Sequence, residues 1–174
     1  APGTRLAVLD LMPAQLARQA EQGVFDLALH ITEDAPLDLH QRVLFTEHYV
    51  LAGRLGHPGL KRKPTREQFC ALEHVMVSRE GGGFFGVTDR ALADVGLMRK
   101  VVLSVPHFLM AMSVLVSTDL VAMLPSRLVR GNPALQVVDA PLEVPGYEMA
   151  MFWGERSHRD PAHKWLREHL LASV

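Results

Sequence analysis

Short apolar segments alternate with helical segments along nearly the whole chain, and this alternation restricts the possible folds more than any other feature. We predict strands at 5–10, 24–31, 73–78, 100–105, 119–124, 135–138 and 147–153. We predict helices at 14–22, 66–72, 84–95, 107–116 and 162–172. Strands that alternate with helices are typical of α/β proteins. With 48% hydrophobic and 21% charged residues, the chain has enough apolar side chains for such a core.

The first three segments predict a βαβ unit. Arg5–Asp10 is an apolar run typical of a buried strand, and Pro13 suits the first turn of the following helix. Gly23 suits the end of that helix, and a second apolar strand, Val24–Ile31, follows it. Short connections around one helix predict two parallel strands joined by a right-handed crossover.

A long extended stretch, Val43–Leu55, predicts that the chain forms two lobes. The stretch exceeds the usual strand of about 5–6 residues, so we expect it to leave one lobe and enter another. The segment near 138–147 is the predicted return crossing. Lobe I is therefore expected to comprise residues 1–49 and 143–174, and lobe II residues 50–142.

Two turns that follow predicted strands indicate a small-molecule site. Gly81–Gly86 follows the strand at 73–78, and Val105–Phe108 ends the strand at 100–105; each turn opens a predicted helix. Ligands bind outside the carboxyl ends of such strands, and a helix N-terminus favours an anion. His30, at the end of a lobe I strand, is expected to close the pocket from the other side. The other predicted ligand-binding residues are Ser78, Gly82, Gly83, Phe84, Phe85, Pro106, His107 and Phe108.

The same turns allow other interpretations. Gly81, Gly83 and Gly86 match the dinucleotide-binding pattern G-x-G-x-x-G. However, no acidic residue ends the next strand, and the two phenylalanines at 84 and 85 would crowd a pyrophosphate. A tight turn alone also explains the glycines. Satisfying the backbone near the helix N-terminus also explains His107, and ordinary core packing also explains the phenylalanines.

Composition argues against several classes of partner. The net charge of -1 indicates neither a nucleic-acid-binding nor a membrane-binding surface. A single cysteine, Cys70, excludes an internal disulfide and suits a reducing compartment. No apolar run approaches the roughly 18 residues of a membrane span, and we expect no signal peptide. The chain opens at Ala1 without an initiator methionine, so we expect it to be part of a longer protein.

Metal and hydrolytic chemistry are not expected either. His158, His163 and His169 are spaced by five and six residues, so they do not share one helical face. No H-E-x-x-H motif and no cysteine pair accompanies them. There is no G-x-S-x-G elbow, and no histidine is paired with Ser78 by a known spacing. We therefore expect a binding domain without metal or cofactor rather than an enzyme.

Several segments, taken in order, resemble one known family. They are Gly23–Leu29, the crossover ending in Gly56-His57-Pro58, the strand-turn-helix at 99–116, Asp119–Pro125, and Trp153 with Arg159-Asp160-Pro161 and Trp165-Leu166-Arg167. Their order and spacing resemble the effector-binding domain of LysR-type bacterial transcription regulators. Within that family the chain is most similar to the branch that senses aromatic compounds and nodulation signals.

The resemblance implies two Rossmann-like lobes of the periplasmic-binding-protein-like type 2 fold, joined by two crossover segments. It implies a cytoplasmic regulator that binds a small aromatic or carboxylate effector between its lobes and assembles as a homodimer or homotetramer. DNA would be bound only through an N-terminal winged helix-turn-helix, which this sequence lacks. The first strand and helix of lobe I are also expected to be missing. The alternative interpretation, a periplasmic-type solute-binding protein, has the same two-lobe plan.

Overall fold

The computed structural model describes residues 3–10, 12–33, 35–36, 38–78 and 82–174. The chain divides into two compact units, which we call unit 1 (1–46 and 147–174) and unit 2 (47–146). The lobe limits proposed from the sequence are close to these limits but not the same, and they stay a prediction. Strands and helices alternate along most of the chain, so the predicted α/β class is confirmed.

The strands are β1 (Ala28–Ile31), β2 (His40–Glu47), β3 (Tyr49–Arg54), β4 (Glu73–Val77), β5 (Lys100–Val105), β6 (Ala122–Pro125), β7 (Leu135–Val138) and β8 (Tyr147–Trp153). The helices are α1 (Leu16–Gln22), α2 (Arg66–Ala71), α3 (Val87–Ala93), α4 (Phe108–Ser117), α5 (Ser126–Val129), α6 (Glu155–His158) and α7 (Pro161–Leu171). Short 3-10 turns at Pro13–Gln15 and Pro58–Leu60 complete the described elements.

The predicted helix ends follow local capping chemistry. Gly23 ends α1 in the left-handed conformation, with φ of 67°. Thr65 begins α2 with a capping box, in which its hydroxyl accepts the Gln68 N–H and the Gln68 side chain accepts the Thr65 N–H. The Asp160 carboxylate accepts two first-turn N–H groups of α7. The short helices α5 and α6 are too brief for periodicity to reveal and were not predicted.

Unit 1 contains a three-stranded sheet in the order β1-β8-β2. β1 and β8 are antiparallel, with Ala28 opposite Phe152 and His30 opposite Ala150. One face packs on α1, where Leu16, Ala28, Ala150 and Phe152 form a buried cluster. β1 thus pairs with β8 and not with a preceding parallel strand, so the predicted parallel βαβ unit at the start of the chain is wrong.

The prediction of a buried strand at Arg5–Asp10 is also wrong. Residues 4–10 form no strand, and Leu6 and Val8 are 81% and 87% exposed. A strand requires a neighbour that satisfies its N–H and C=O groups, and no described residue pairs with this segment. An apolar sequence alone therefore does not produce a strand here.

Unit 2 contains a mixed sheet. β3 pairs antiparallel with both β6 and β7, while β4 and β5 form a parallel pair. A parallel bridge between His74 and Val121 joins the two sets of strands. β4, α3 and β5 supply the parallel crossover expected of an α/β protein, and α3 begins at Val87, later than predicted.

The extended stretch at 43–55 is divided between two sheets. β2 belongs to the sheet of unit 1 and β3 to that of unit 2, with His48 between them. The strand predicted at 24–31 is shorter in the structure, where it covers 28–31. The strand predicted at 119–124 is displaced to 122–125.

Helix α4 is less buried than its composition suggested. It is apolar on nearly all sides and was expected to be buried, and Ala111 and Leu115 are fully buried. However, Leu109, Met110 and Val116 are 67%, 51% and 47% exposed, so one face of the helix is open within this chain. Among the helices that the structure describes, none combines the length and apolar character that a bilayer span requires.

Candidate ligand-binding site

The parallel pair β4-β5 places two predicted site residues side by side. Val77 is opposite Val105, and the Ser78 N–H donates to the Val105 carbonyl at 2.9 Å. Ser78 and Pro106 are the next residues after each strand, so both lie at the same carboxyl edge of the sheet. Ligands of open α/β sheets bind at such edges. This register places the ends of β4 and β5 side by side, and the assignment of the turns that follow to a ligand site stays a prediction.

The glycine turn folds back on Ser78. The Gly83 N–H donates to Ser78 Oγ at 3.3 Å, and a Cβ on Gly83 would lie 3.0 Å from that oxygen. Gly82 has a φ of 73°, which disfavours residues that have a side chain. Gly81, part of the dinucleotide pattern, lies outside the described residues.

A buried ion pair fixes the end of the glycine turn at Gly86. The sequence analysis did not predict this pair. The Asp89 carboxylate accepts the Gly86 N–H at 2.8 Å and two bonds from Arg99, from Nε at 2.8 Å and from Nη2 at 2.9 Å. The Asp89 and Arg99 side chains are only 10% and 3% exposed. Burial alone would raise the pKa of Asp89, but the hydrogen bonds and charge of Arg99 outweigh it, and the pKa lies below its usual value.

The position of Asp89 was visible in the sequence, but its partner was not. Asp89 stands three residues after Gly86, where an acidic side chain can cap the helix start. Arg99 is ten residues away across α3 and a loop, and no local pattern connects the two. The pair holds the start of α3 and hence the geometry of the turn before it.

The aromatic residues of the two turns divide into exposed and half-buried. Phe84 and Phe85 are 57% and 64% exposed, so ordinary core packing does not account for them. Phe108 is half-buried and packs against the core of unit 2. The exposed pair leaves aromatic surface next to the sheet edge, which suits a flat apolar ligand.

His107 occupies the N-cap position of α4. It is exposed, its backbone is extended, and its imidazole makes no capping hydrogen bond. Of the two interpretations left open, satisfying the helix backbone is therefore not what the ring does here. The side chain follows Pro106 directly and is available to an external acceptor or donor.

His30 lies in unit 1, on β1, and is 3% exposed. Its Nδ1–H donates to the Ile31 carbonyl at 2.9 Å, which leaves Nε2 as a lone-pair acceptor. Nε2 is buried and has no hydrogen-bond donor among the described residues. The ring contacts Phe152 edge-on at 6.5 Å between centroids. A buried acceptor without a donor is unusual in a folded protein.

Glu47 is a second buried acid that the sequence did not reveal. It is 2% exposed and accepts the Ser126 hydroxyl at 2.7 Å and the N–H groups of His48, Ser126 and Arg127 at 2.8, 3.1 and 3.1 Å. Burial opposes ionisation, but the Ser126 hydroxyl and the backbone donors outweigh it and lower the pKa of Glu47. These bonds fix the start of α5 to the end of β2.

The three histidines considered as metal ligands lie in separate environments. His158 accepts the Trp153 indole N–H at 3.2 Å, His163 lies 3.6 Å from Asp26, and His169 stacks on Trp165. In the part of the chain that the structure describes, no group of three or more possible ligands converges.

Comparisons with known proteins agree on one family. The family model described as "LysR substrate binding domain" matches residues 1–174. The HTH-type transcriptional regulator SyrM 1 of Sinorhizobium fredii (strain NBRC 101917 / NGR234) is 36% identical over 160 residues, 90% of this chain and 47% of that protein. The HTH-type transcriptional activator NagR of Ralstonia sp is 34% identical over 171 residues, 97% of this chain and 56% of that protein.

A solved structure supports the fold. The probable transcriptional regulator PA0477 from Pseudomonas aeruginosa is 30% identical and superposes with a TM-score of 0.82, covering 99% of this chain and 58% of that one. The predicted periplasmic-binding-protein-like type 2 fold is confirmed by the family match and this likeness. The chain spans about half the length of the curated relatives it matches.

Proposed function

The chain belongs to the LysR substrate-binding-domain family, and on that premise we propose that it senses a small aromatic or carboxylate effector for a bacterial transcriptional regulator. Relatives over 90% or more of its length are named as transcriptional regulators or activators. The family match favours this role over the alternative of a periplasmic solute-binding protein, and it calls for binding without covalent chemistry.

The observation that carries the effector proposal is the edge where β4 and β5 end. Ser78 and Pro106 are adjacent there through the Ser78–Val105 hydrogen bond, and the turns that follow expose Phe84, Phe85 and His107. Exposed aromatic faces next to a free imidazole and a helix N-terminus form a surface of mixed chemistry. It suits a ligand with an aromatic ring and an acidic group.

His107 is the residue we expect to bind the acidic group. The N-terminus of the ten-residue helix α4 favours an anion by about 0.3–1 kcal/mol. A hydrogen bond from the imidazole to a charged oxygen adds about 1.5–3 kcal/mol. Together these contributions correspond to at least a tenfold gain in affinity. Gly82 and Gly83 would let the facing backbone approach the ligand closely.

His30 of unit 1 carries a buried nitrogen that has no donor among the described residues. Its Nε2 lone pair needs a donor, and a ligand hydroxyl or a protonated carboxyl group supplies one. The assignment of His30 to the effector site stays a prediction. It is tested by His30→Phe, which keeps an aromatic ring but removes the acceptor.

The test of the site is a calorimetric titration with benzoate as a minimal aromatic carboxylate. His107→Ala should weaken binding about ten- to hundredfold and leave the thermal melt almost unchanged, since the side chain is exposed. The matched control is His169→Ala, an exposed histidine in unit 1, which should bind as the unaltered chain does. Equal affinity in the two variants would place the effector elsewhere.

Self-association is the second part of the proposal. The open face of α4 carries Leu109, Met110 and Val116, and the adjacent edge strand β5 exposes Val102. A second copy of this chain would cover these side chains and complete the edge of the sheet in a homodimer, or in a tetramer built from dimers. Leu109→Glu should convert the assembly to monomers in sedimentation, while Arg130→Ala, elsewhere on unit 2, should not.

Control of transcription belongs to the longer protein in this proposal. A DNA-binding segment outside this sequence would contact DNA in the bacterial cytoplasm, and this domain would bias that segment through the effector. The domain itself has a net charge of -1 and should show no sequence-selective gel shift. Tight, operator-specific binding by residues 1–174 alone would contradict this division of labour.

A further inference from the structure

A cavity in unit 1 is lined by three permanently cationic side chains. It measures about 330 Å³ and is lined by Arg42, Trp153, His158, Lys164, Arg167 and Glu168. Three of these six residues carry a permanent positive charge, and one carries a negative charge. We propose that this cavity binds a small multivalent oxyanion, either a phosphate compound or a polycarboxylate.

The topology directs the three cations to one place. On β2, His40 and Arg42 are two residues apart and therefore face the same side of the sheet. His40 stacks on His158 at 3.8 Å between ring centroids, so this side faces α6 and its neighbours. On α7, Lys164, Arg167 and Glu168 are spaced by three and four residues and share one helical face.

The back wall of the cavity is fixed by hydrogen bonds among its own groups. Arg167 is 7% exposed and donates to the Ser157 and His158 carbonyls at 3.1 and 2.9 Å. Its guanidinium lies 4.5 Å from the centre of the Trp153 ring. The Trp153 N–H donates to His158 Nδ1, and the planes of the two rings are nearly parallel. This wall is rigid and positively charged, and its main donors are already occupied.

Arg42 and Lys164 are the cations left for a ligand. Among the described residues Arg42 makes no ion pair, although its guanidinium can bind an oxyanion through two parallel N–H groups. Lys164 is only loosely paired with Glu168, at 3.9 Å one helical turn away. A ligand with two or more negative charges would engage both cations while Arg167 supplies field from the rigid wall.

Glu168 should disfavour the binding of anions that carry a single negative charge. Its carboxylate lines the same cavity and would repel a ligand with a single charge almost as much as Lys164 attracts it. A multivalent anion can displace Glu168 from Lys164 and still be attracted by the remaining charge. Removing the Glu168 charge should therefore strengthen binding, whereas removing a cation should weaken it.

The chain offers a built-in reporter for the experiment. It has two tryptophans, and Trp165→Phe leaves Trp153, in the cavity wall, as the only indole. We would titrate this variant with inorganic phosphate and with citrate, at constant ionic strength, and follow Trp153 emission. A saturable change with a midpoint near or below about 1 mM is expected, which two charge-assisted hydrogen bonds suffice to supply.

Three substitutions in the same background test the assignment. Arg42→Ala should weaken binding about ten- to hundredfold. Arg42→Lys should have an affinity between those of the alanine variant and the parent, since it keeps the charge but loses the two parallel N–H donors of the guanidinium. Glu168→Gln should bind several-fold tighter. Arg18→Ala, an exposed arginine of unit 1 outside the cavity, is the matched control and should bind unchanged. If Arg42→Ala melts early, Lys164→Ala replaces it as the loss variant.

The outcomes separate the ligand sources and the two sites. If only phosphate binds, the ligand of the cavity is a phosphate compound. If only citrate binds, the ligand is a polycarboxylate. His107→Ala should leave this titration unchanged, because His107 is not among the residues that line this cavity. No saturable change with either anion, or equal affinity in Arg42→Ala and Arg18→Ala, would overturn the proposal without affecting the effector site.

Discussion

The two units bury their apolar residues to different extents. Among the described residues, unit 2 carries two clusters of buried side chains on a sheet of five bridged strands. Unit 1 carries one small cluster on three strands, and its segment 4–10 leaves Leu6 and Val8 almost fully exposed. Apolar sequence stabilises a fold only where a neighbouring strand satisfies the backbone and another layer covers the side chains.

Two segments with similar side chains show this most directly. β5 and the segment 5–9 are both short and apolar, but β5 pairs along its length with β4, and Val105 is 2% exposed. The segment 5–9 has no ladder partner in the described part of the chain, and its side chains face solvent. The stability of this chain should therefore depend far more on unit 2 than on the first residues of unit 1.

The largest expected effect is the loss of a core side chain in unit 2. Phe69 is fully buried in the same cluster as Leu92, and its carbonyl accepts the His74 ring N–H at 2.8 Å. Phe69→Ala should lower the free energy of unfolding by about 3–5 kcal/mol, measured by urea denaturation. Leu6→Ala, at an 81% exposed position, should change it by less than about 0.5 kcal/mol. A large loss of unfolding free energy in Leu6→Ala would show that the segment 4–10 is covered in solution. It would contradict the contrast between this segment and the core of unit 2.

The next effect is the loss of the buried ion pair behind the glycine turn. Asp89→Asn keeps one acceptor for Gly86 but leaves Arg99 buried without a counter-charge, so we expect a loss of about 3 kcal/mol. The control is Asp119→Asn, which breaks the exposed pair between Asp119 and Arg54 and should cost about 0–1 kcal/mol. Similar melting temperatures for the two variants would mean that the Asp89 pair is solvated.

Sequence reasoning succeeded where the information is local. The helix ends at Gly23, Thr65 and Asp160 follow from capping chemistry within four residues, and the structure has all three. The strands 100–105 and 147–153 have the predicted limits, because an alternating or continuous apolar pattern coincided with available partners. The meeting of Ser78 and Pro106 followed from the rule that neighbouring parallel strands end at one edge.

Features that depend on residues far apart in sequence were not predictable from local patterns. Arg5–Asp10 has a strand pattern but no partner, and the open face of α4 depends on which neighbours cover it, which composition does not encode. The Asp89–Arg99 pair and the environment of Glu47 join residues separated by 10 and 79 positions. The cationic cavity of unit 1 likewise brings β2 and α7 together, so no local motif could have indicated it.

The third prediction concerns pH and the buried histidine of unit 2. Burial lowers the pKa of His74 from 6.5 to about 4, so the unfolded chain binds a proton there before the folded chain does. The stability contribution is complete above pH 6.5 and is lost as pH falls from 6.5 to about 4, to a total of about 3 kcal/mol. Denaturation in urea between pH 7 and pH 4 measures this loss.

Replacing His74 should remove most of that pH dependence. His74→Gln keeps a donor for the Phe69 carbonyl but cannot be protonated, so its stability curve should be nearly flat between pH 6.5 and 4.5. The acids Asp89 and Glu47 have lowered pKa values and lose their contributions only below that window. An equally steep curve in His74→Gln would assign the pH dependence to other groups.

The smallest effect compares one glycine from each unit. Gly23 ends α1 in unit 1 with φ of 67°, and Gly96 follows α3 in unit 2 with φ of 71°. A Cβ on Gly96 would meet no atom within 4 Å, while one on Gly23 would meet the Arg156 guanidinium, the flexible end of a long side chain that can move aside. Both alanine variants should therefore lose about 1 kcal/mol, mainly from the left-handed backbone.

The two glycine variants test whether the units unfold separately, because each variant should shift the unfolding transition of its own unit. If the units unfold separately, Gly23→Ala should lower only the transition of unit 1 and Gly96→Ala only that of unit 2, as read by calorimetry. Unit 1 has the smaller described core, so it should unfold at the lower temperature. The same loss of unfolding free energy should lower its transition temperature by at least as much as that of unit 2. A single transition that shifts equally in both variants would show that the two units unfold together and that the smaller core of unit 1 is not a separate weakness.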